Sequence, residues 1–300
     1  MAGIPFVKDI DFTPGAPDEV LLGVRRVIAN NPGPYTYTGT GTYIIGTGEV
    51  AVIDPGPNDD AHLEALIAAT AGETVSHILI THTHSDHCGL ARKFADRVGA
   101  PILAFGPHPV RESQDDAPAL DEGADYSFQP DETIGDGAII EGPNWRIEAV
   151  WTPGHLSNHL CFALPDQRAL FTGDHMMGWA TTVVAPPDGD MEAYLQSLDK
   201  LLARDDEIYL PTHGAPIKNP KRFTRAVRTH RLMRDGQIIE QLKSGKTGIR
   251  EIVAAMYADI DKRLHGAAAL NVLAHLIRLI RIGTVRCGGE PGMKSVYRLT

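Results

Sequence analysis

The chain has 300 residues, 43% apolar and 22% charged, enough for one large buried core with a smaller unit beside it. Three scattered cysteines, Cys88, Cys161 and Cys287, exclude a disulfide framework. With no apolar leader and no 18-residue apolar run, the sequence predicts a cytoplasmic protein that does not enter a membrane. The formal charge of −10 is unfavourable for nucleic acid until it is divided: residues 1–214 carry 11 Lys+Arg against 32 Asp+Glu, net −21, and residues 215–300 carry 17 against 6, net +11.

In chain order, short β-rich runs bounded by Gly and Pro predict strands at 43–45, 50–53, 75–80, 147–151, 159–164 and 207–210. Helical periodicity predicts helices near 58–70, 88–98 and 190–203. This is an α/β (α+β) order in which chemistry-bearing residues follow strands, where open sheets place their sites. The acidic, Pro/Gly-punctuated stretch 107–141 reads as hairpins and loop over the body. From Pro216 the texture changes to a long helix over 221–242, a break at 244–248, helices near 249–258 and 267–282, and a hairpin from 284–287 to 295–299. That pattern predicts a catalytic domain at 1–215 and a basic, winged-helix-like unit at 216–300.

Five separate pieces supply ligand-type side chains: Asp54 in VIDPG, the loop His82-Thr83-His84-Ser85-Asp86-His87, His155 in TPGH, Asp174 in FTGD and His213 in PTHG. Imidazole and carboxylate are what zinc and similar ions prefer where a position must stay open to water. Four such groups within six residues of an exposed loop would repel and desolvate one another without a cation between them. His62, His77, His108, His265 and His275 stand alone and read as surface or satisfied core histidines. His159, four residues after His155, reads as structural or supporting, and Cys88, with no dedicated base, as packing.

The order of these motifs resembles the five-motif pattern of the metallo-β-lactamase superfamily. The resemblance implies an αββα sandwich with two divalent ions at one edge, zinc by default, with manganese or iron able to take the same ligands. It assigns His82, His84 and His155 to one ion, Asp86, His87 and His213 to the other, and Asp174 to both, with Asp54 orienting the site from behind. Hydrolysis by an activated water follows, with Asp86 and Asp174 as the catalytic carboxylates. His175 and Trp179 are candidates for the substrate pocket. Aspartate at 174, where zinc β-lactamases of the superfamily carry Cys or Ser, argues against β-lactam hydrolysis as the main role.

A narrower resemblance, to the lactamase-beta-like protein 2 group, rests on Asn31-Pro32-Gly33-Pro34 with Gly39–Tyr43, on Leu170–Trp179, on Val183–Met191 and on His230–Arg234. It implies an endoribonuclease on single-stranded RNA, which fits the +11 C-terminal part and the arginines 222, 225, 228, 231 and 234, spaced by three along one helix. The alternative is a thioester or lactone hydrolase similar to glyoxalase II, acting on a small acyl substrate. A metal-binding regulator that sets its winged helix on DNA is a third reading. A homodimer is compatible with the sequence.

Overall fold

The computed structural model describes residues 3–109, 123–258, 261 and 264–300. Part of the acidic stretch read as hairpins and loop, residues 110–122, lies outside the described residues. The first sheet has seven strands in chain order: β1 (Pro17–Leu21), β2 (Val24–Ile28), β3 (Gly41–Thr47), β4 (Glu49–Ile53), β5 (Thr74–Leu79), β6 (Ile102–Ala104) and β7 (Glu132–Thr133). It is antiparallel through β4 and parallel from β4 to β7. The second sheet runs in the order β12 (Ile208–Pro211), β11 (Ala169–Gly173), β10 (Leu160–Leu164), β9 (Trp145–Trp151), β8 (Ile139–Gly142).

Strand alternation explains why these runs are apolar throughout. In β3 and β4, Ile44 and Val52 point to a core shared with helices α1 (Asp60–Ala69) and, after the single turn of α2 (Ser85–Cys88), α3 (Ala91–Val98), while Tyr43, Ile45 and Ile53 point to the space between the sheets. In β10 and β11, Phe162 and Phe171 fill that same inner space, and Cys161 and Leu170 face outward to α4 (Met191–Ala203) and the start of α5 (Pro220–Lys243). The layers are therefore helix, sheet, sheet, helix. Asp59 and Asp190 cap α1 and α4 by accepting backbone N–H bonds in the first turn.

Helix α5 spans two cores. Phe223 and Val227 pack on the second sheet, whereas Ile238 and Leu242 join a separate cluster with α6 (Ile249–Met256), α7 (His265–Arg281) and the hairpin of β13 (Val285–Cys287) and β14 (Tyr297–Leu299). Three helices and a two-stranded wing make up this C-terminal unit. No helix among the described residues is long and apolar enough to cross a membrane.

Several strands lack a sequence signal. In β2 two arginines interrupt the apolar run, but Arg26 is 3% exposed and paired with Asp18, while Arg25 reaches Glu73 and the carbonyl of Ala69. Strands β6 and β7 are too short to show a period.

Candidate metal centre

The topology brings the five motifs to one edge. Strands β4 and β5 are parallel and end at Ile53 and Leu79, immediately before Asp54 and the 82–87 loop. Strands β11 and β12 are parallel and end before Asp174 and His213; β9, two antiparallel steps from β11, runs the same way and leads into the His155 loop. The sheets are joined there, since Tyr43 donates to the Pro211 carbonyl, Gly41 N–H to Thr212 and Leu160 N–H to Thr81.

His82, His84, His155 and Asp174 bring one donor atom each to within 4.8 Å of one another, and Asp86, His87 and His213 do the same alongside. The Nδ1 of His84 lies 2.9 Å from His82 Nε2 and 3.1 Å from His155 Nε2. In the second group His213 Nε2 lies 3.2 Å and His87 Nε2 3.4 Å from Asp86 Oδ2. Asp174 stands between: its Oδ1 is 3.4 Å from His87 Nε2 and 3.3 Å from His213 Nε2, and its Oδ2 is 3.8 Å from His155 Nε2. One carboxylate oxygen thus faces each group.

These separations fit an ion in each group. Zinc–ligand bonds of about 2.0–2.1 Å in a tetrahedron give donor–donor edges of roughly 3.3–3.4 Å. The buried atoms His87 Nε2, His213 Nε2 and Asp174 Oδ1 have no hydrogen-bond partner, a cost that a cation removes. Electrostatics agrees. Burial, then the surrounding imidazoles, lowers the pKa of His82 far below the ordinary histidine value, and burial takes His84 down to about 3, so both are neutral donors. Burial works against charge on His213 too, but Asp174 and Asp86 hold it up at about 9, and His87 is likewise raised by Asp86, Asp174 and Asp54. The buried carboxylates draw both rings toward the protonated form, and a divalent cation held by the same groups would supply that positive charge in their place.

Each ring is fixed from behind. Asp54 is fully buried, in the left-handed region at φ +50°, and accepts from Thr81 N–H (2.8 Å), Thr81 Oγ1 (2.7 Å), Thr212 Oγ1 (3.2 Å) and His87 Nδ1 (2.8 Å). That leaves His87 Nε2 to face the cluster, the carboxylate–histidine arrangement of metal sites. His155 Nδ1 is held by the Val183 carbonyl (2.7 Å) and Thr182 Oγ1 (3.1 Å), and His213 Nδ1 by the Gly39 carbonyl (3.2 Å). The ligand loop is itself clamped: Thr83 Oγ1 meets His108 Nδ1 at 2.7 Å and Asn158 Nδ2 at 2.9 Å, and Ser85 N–H donates to Gly123. His159 accepts the Asp174 backbone N–H at 3.2 Å; Gly173, at φ +48°, precedes it because a Cβ there would sit 2.6 Å from His159 Nε2. Backbone carbonyls and threonines carry no ligand signature, so sequence reading passes over Gly39, Thr182 and Val183.

Of the two flanking candidates, His175 is fully buried against Tyr194 and lines none of the clefts at the cluster, while Trp179 stacks on Tyr37 at 4.7 Å and does line one. That cleft, about 240 Å³, opens on His84, His155 and Asp174. Its other walls are Pro34, Tyr35, Met177, Trp179, Val183 and the start of α7, with no lysine or arginine among the described residues. A second, more polar recess, which shares Pro34 and Tyr35 with it, reaches Asn31, Asn58, Ser85 and Asp86. Cys88 packs in the core beside α3 with its thiol pKa pushed up by burial, which leaves it a packing group.

The profile of the metallo-β-lactamase superfamily matches residues 37–213, from the loop before β3 to the last ligand. The chain belongs to the metallo-β-lactamase superfamily. The profile of the β-lactamase-associated winged helix domain matches residues 249–292 of this superfamily member. It is 31% identical over 92% of its length to an atrochrysone carboxyl ACP thioesterase of Aspergillus fumigatus, 89% of which is covered. It is 32% identical over 87% of its length to a β-lactamase-like protein 2 homolog of Caenorhabditis elegans, 85% of which is covered. Among solved structures, a metallo-β-lactamase family protein of Thermus thermophilus superposes with a TM-score of 0.76 at 24% identity, over 94% of this chain and all of that one. The sandwich with a C-terminal winged helix is thus the architecture of the whole chain. A metallo-β-lactamase-fold hydrolase with a His/Asp cluster suited to divalent metal is what these findings establish.

Proposed function

We propose that the protein hydrolyses small acyl thioesters at a dinuclear site, with zinc the ion best suited to its histidine-rich donors. The observation that carries this reading is the cleft over the cluster, walled by apolar side chains and, among the described residues, without a cation to meet phosphate. At about 240 Å³ it falls below the roughly 300–1,000 Å³ of drug-sized ligand sites, which suits a small acyl group. The Aspergillus fumigatus relative, named as a thioesterase, supports the same chemistry.

Part of the charge split that favours RNA in the sequence is spent in ion pairs. Arg228 pairs with Asp199, Lys221 with Asp205, Arg278 with Asp235 and Glu192, and Arg281 with Asp190. Of the five spaced arginines, Arg231 is 3% exposed and Arg234 covers the Tyr257 ring, which leaves Arg222 and Arg225 at the surface. The C-terminal unit reads as a part docked on an acidic body.

His82, His84 and His155 would hold one divalent ion and Asp86, His87 and His213 a second, with Asp174 between the two groups, and the pair would supply an activated water and Lewis acidity toward the acyl carbonyl. The chain's own groups do the rest. The apolar cleft takes the acyl group and excludes water from it. Asp54, Val183 and Gly39 hold the ligand rings in register, and Asp86, at the polar recess, stands where a proton leaving the water is passed to the departing thiolate. A carbon–oxygen bond forms, the carbon–sulfur bond breaks, and carboxylate and thiol leave.

A parallel assay of metal-loaded protein on a neutral acyl thioester and on single-stranded RNA tests the reading. Thioester turnover is expected to change less than about twofold between about 50 and about 500 mM salt. Recognition through even four phosphates would weaken roughly 600-fold over that range, at a slope of about −0.7 per phosphate. RNA cleavage with such a salt slope, and no thioester turnover, would return the assignment to a ribonuclease.

A further inference from the structure

The cleft over the metal cluster is not built by the catalytic sandwich alone. Leu264, Ala267, Ala268 and Asn271 of the C-terminal unit line it together with His84, His155 and Asp174. Their spacing of three, four and seven is one face of α7, so the first two turns of that helix form a single continuous wall.

The wall is fastened to the catalytic domain at the segment that holds a ligand. Asn271 Oδ1 accepts from Val184 N–H at 3.2 Å and from Arg231 Nη1 at 3.4 Å, and Asn271 Nδ2 donates to the Ala267 carbonyl at 3.1 Å. Arg231 Nη2 donates to the Thr182 carbonyl at 2.6 Å, and its guanidinium lies over the Tyr194 ring at 5.2 Å. Thr182 and Val183 in turn hold His155 Nδ1, at 3.1 and 2.7 Å. Buried and part-buried hydrogen bonds therefore tie the α7 wall to the segment that holds His155. Along that wall the side chains nearest the helix start are Leu264 and the small Ala267.

We propose that the C-terminal domain is the acyl-specificity element of this hydrolase, with Ala267 and Leu264 setting how long an acyl group the cleft admits. The proposal rests on the thioesterase reading. It gives the winged-helix unit a role at the substrate that needs no nucleic acid. A methylene group buried in the cleft strengthens binding about fourfold, and one that meets a larger side chain is refused instead.

The test compares acetyl and octanoyl thioesters of one thiol on wild type, Ala267→Phe and Leu264→Ala, with metal content measured alongside. Ala267→Phe is expected to lower the octanoyl-to-acetyl ratio of kcat/KM at least tenfold, with metal content unchanged. Leu264→Ala is expected to raise that ratio. Ala267→Val, with a smaller loss in the same direction, serves if the phenylalanine variant does not fold. Ratios unchanged in all variants, or acetyl and octanoyl turnover falling together, would overturn the proposal. If wild type turns over no thioester, the function proposed above fails, and the wall is read by calorimetry with octanoate and acetate. Octanoate binding that is stronger than acetate in wild type and lost in Ala267→Phe supports the wall; equal binding of the two, or octanoate binding kept by the variant, refutes it.

Discussion

Asp174→Ala is expected to lower kcat/KM by at least about 10³-fold, roughly 4 kcal/mol of barrier, and to leave the fold intact. Its two oxygens face opposite ligand groups, Oδ1 toward His87 and His213 and Oδ2 toward His155, so truncation removes a donor from both at once. Among the described residues no other carboxylate stands ready to take its place: Asp86 faces the second group, and Asp54 is occupied behind His87. The side chain projects into the cleft rather than into a core cluster, which is why thermal unfolding should move little. Steady-state kinetics with elemental analysis on the same sample checks this. Turnover within about tenfold of wild type with full metal content would remove Asp174 from the bridging position.

Asp54→Asn acts one layer further back. The amide keeps the size and tolerates the left-handed backbone at φ +50°. Its NH₂ group, however, takes the place of Oδ2, which accepts from the Thr81 and Thr212 hydroxyls and from His87 Nδ1–H; the hydroxyls can turn to accept from it, but the ring N–H cannot. To be accommodated, His87 must move its proton to Nε2, the atom that faces the cluster. Metal affinity is expected to drop about 10- to 100-fold, as for other partners that orient metal-bound histidines. Asp54→Ala leaves the same buried donors unpaired, at about 1–3 kcal/mol each, and adds backbone strain, so it should also lower stability by several kcal/mol. Competition with a chelator of known affinity separates the two effects. Wild-type metal affinity in Asp54→Asn would show that Asp54 does not set the His87 tautomer.

The cluster was legible because metal chemistry concentrates signal locally: four donor-type residues in one short loop, and three more donors each next to a glycine turn after an apolar run. The strands that align them were legible where both faces are buried, as in β4 and β5, since each residue then serves one core or the other. Strand β2 was hidden because the arginines in it are satisfied from outside the strand, Arg26 by Asp18 and the Gly214 carbonyl and Arg25 by Glu73. The same cause bears on α5. Regular spacing of arginines suggested a phosphate-tracking stripe, but whether an arginine faces solvent or the Thr182 carbonyl depends on tertiary contacts that spacing does not encode. The α7 wall was equally invisible. Alanines and a leucine in a helix read as core, and only the docking of the C-terminal unit turns that face toward the ligands.

The central claim, a two-ion acyl hydrolase, is tested most directly by titrating metal-free protein with Zn²⁺ while following hydrolysis of an acyl thioester. With one oxygen of Asp174 turned to each ligand group, activity should rise steeply only as the second equivalent binds and level off at two ions per chain. Full activity at one equivalent, or no thioester hydrolysis at two, would contradict the account.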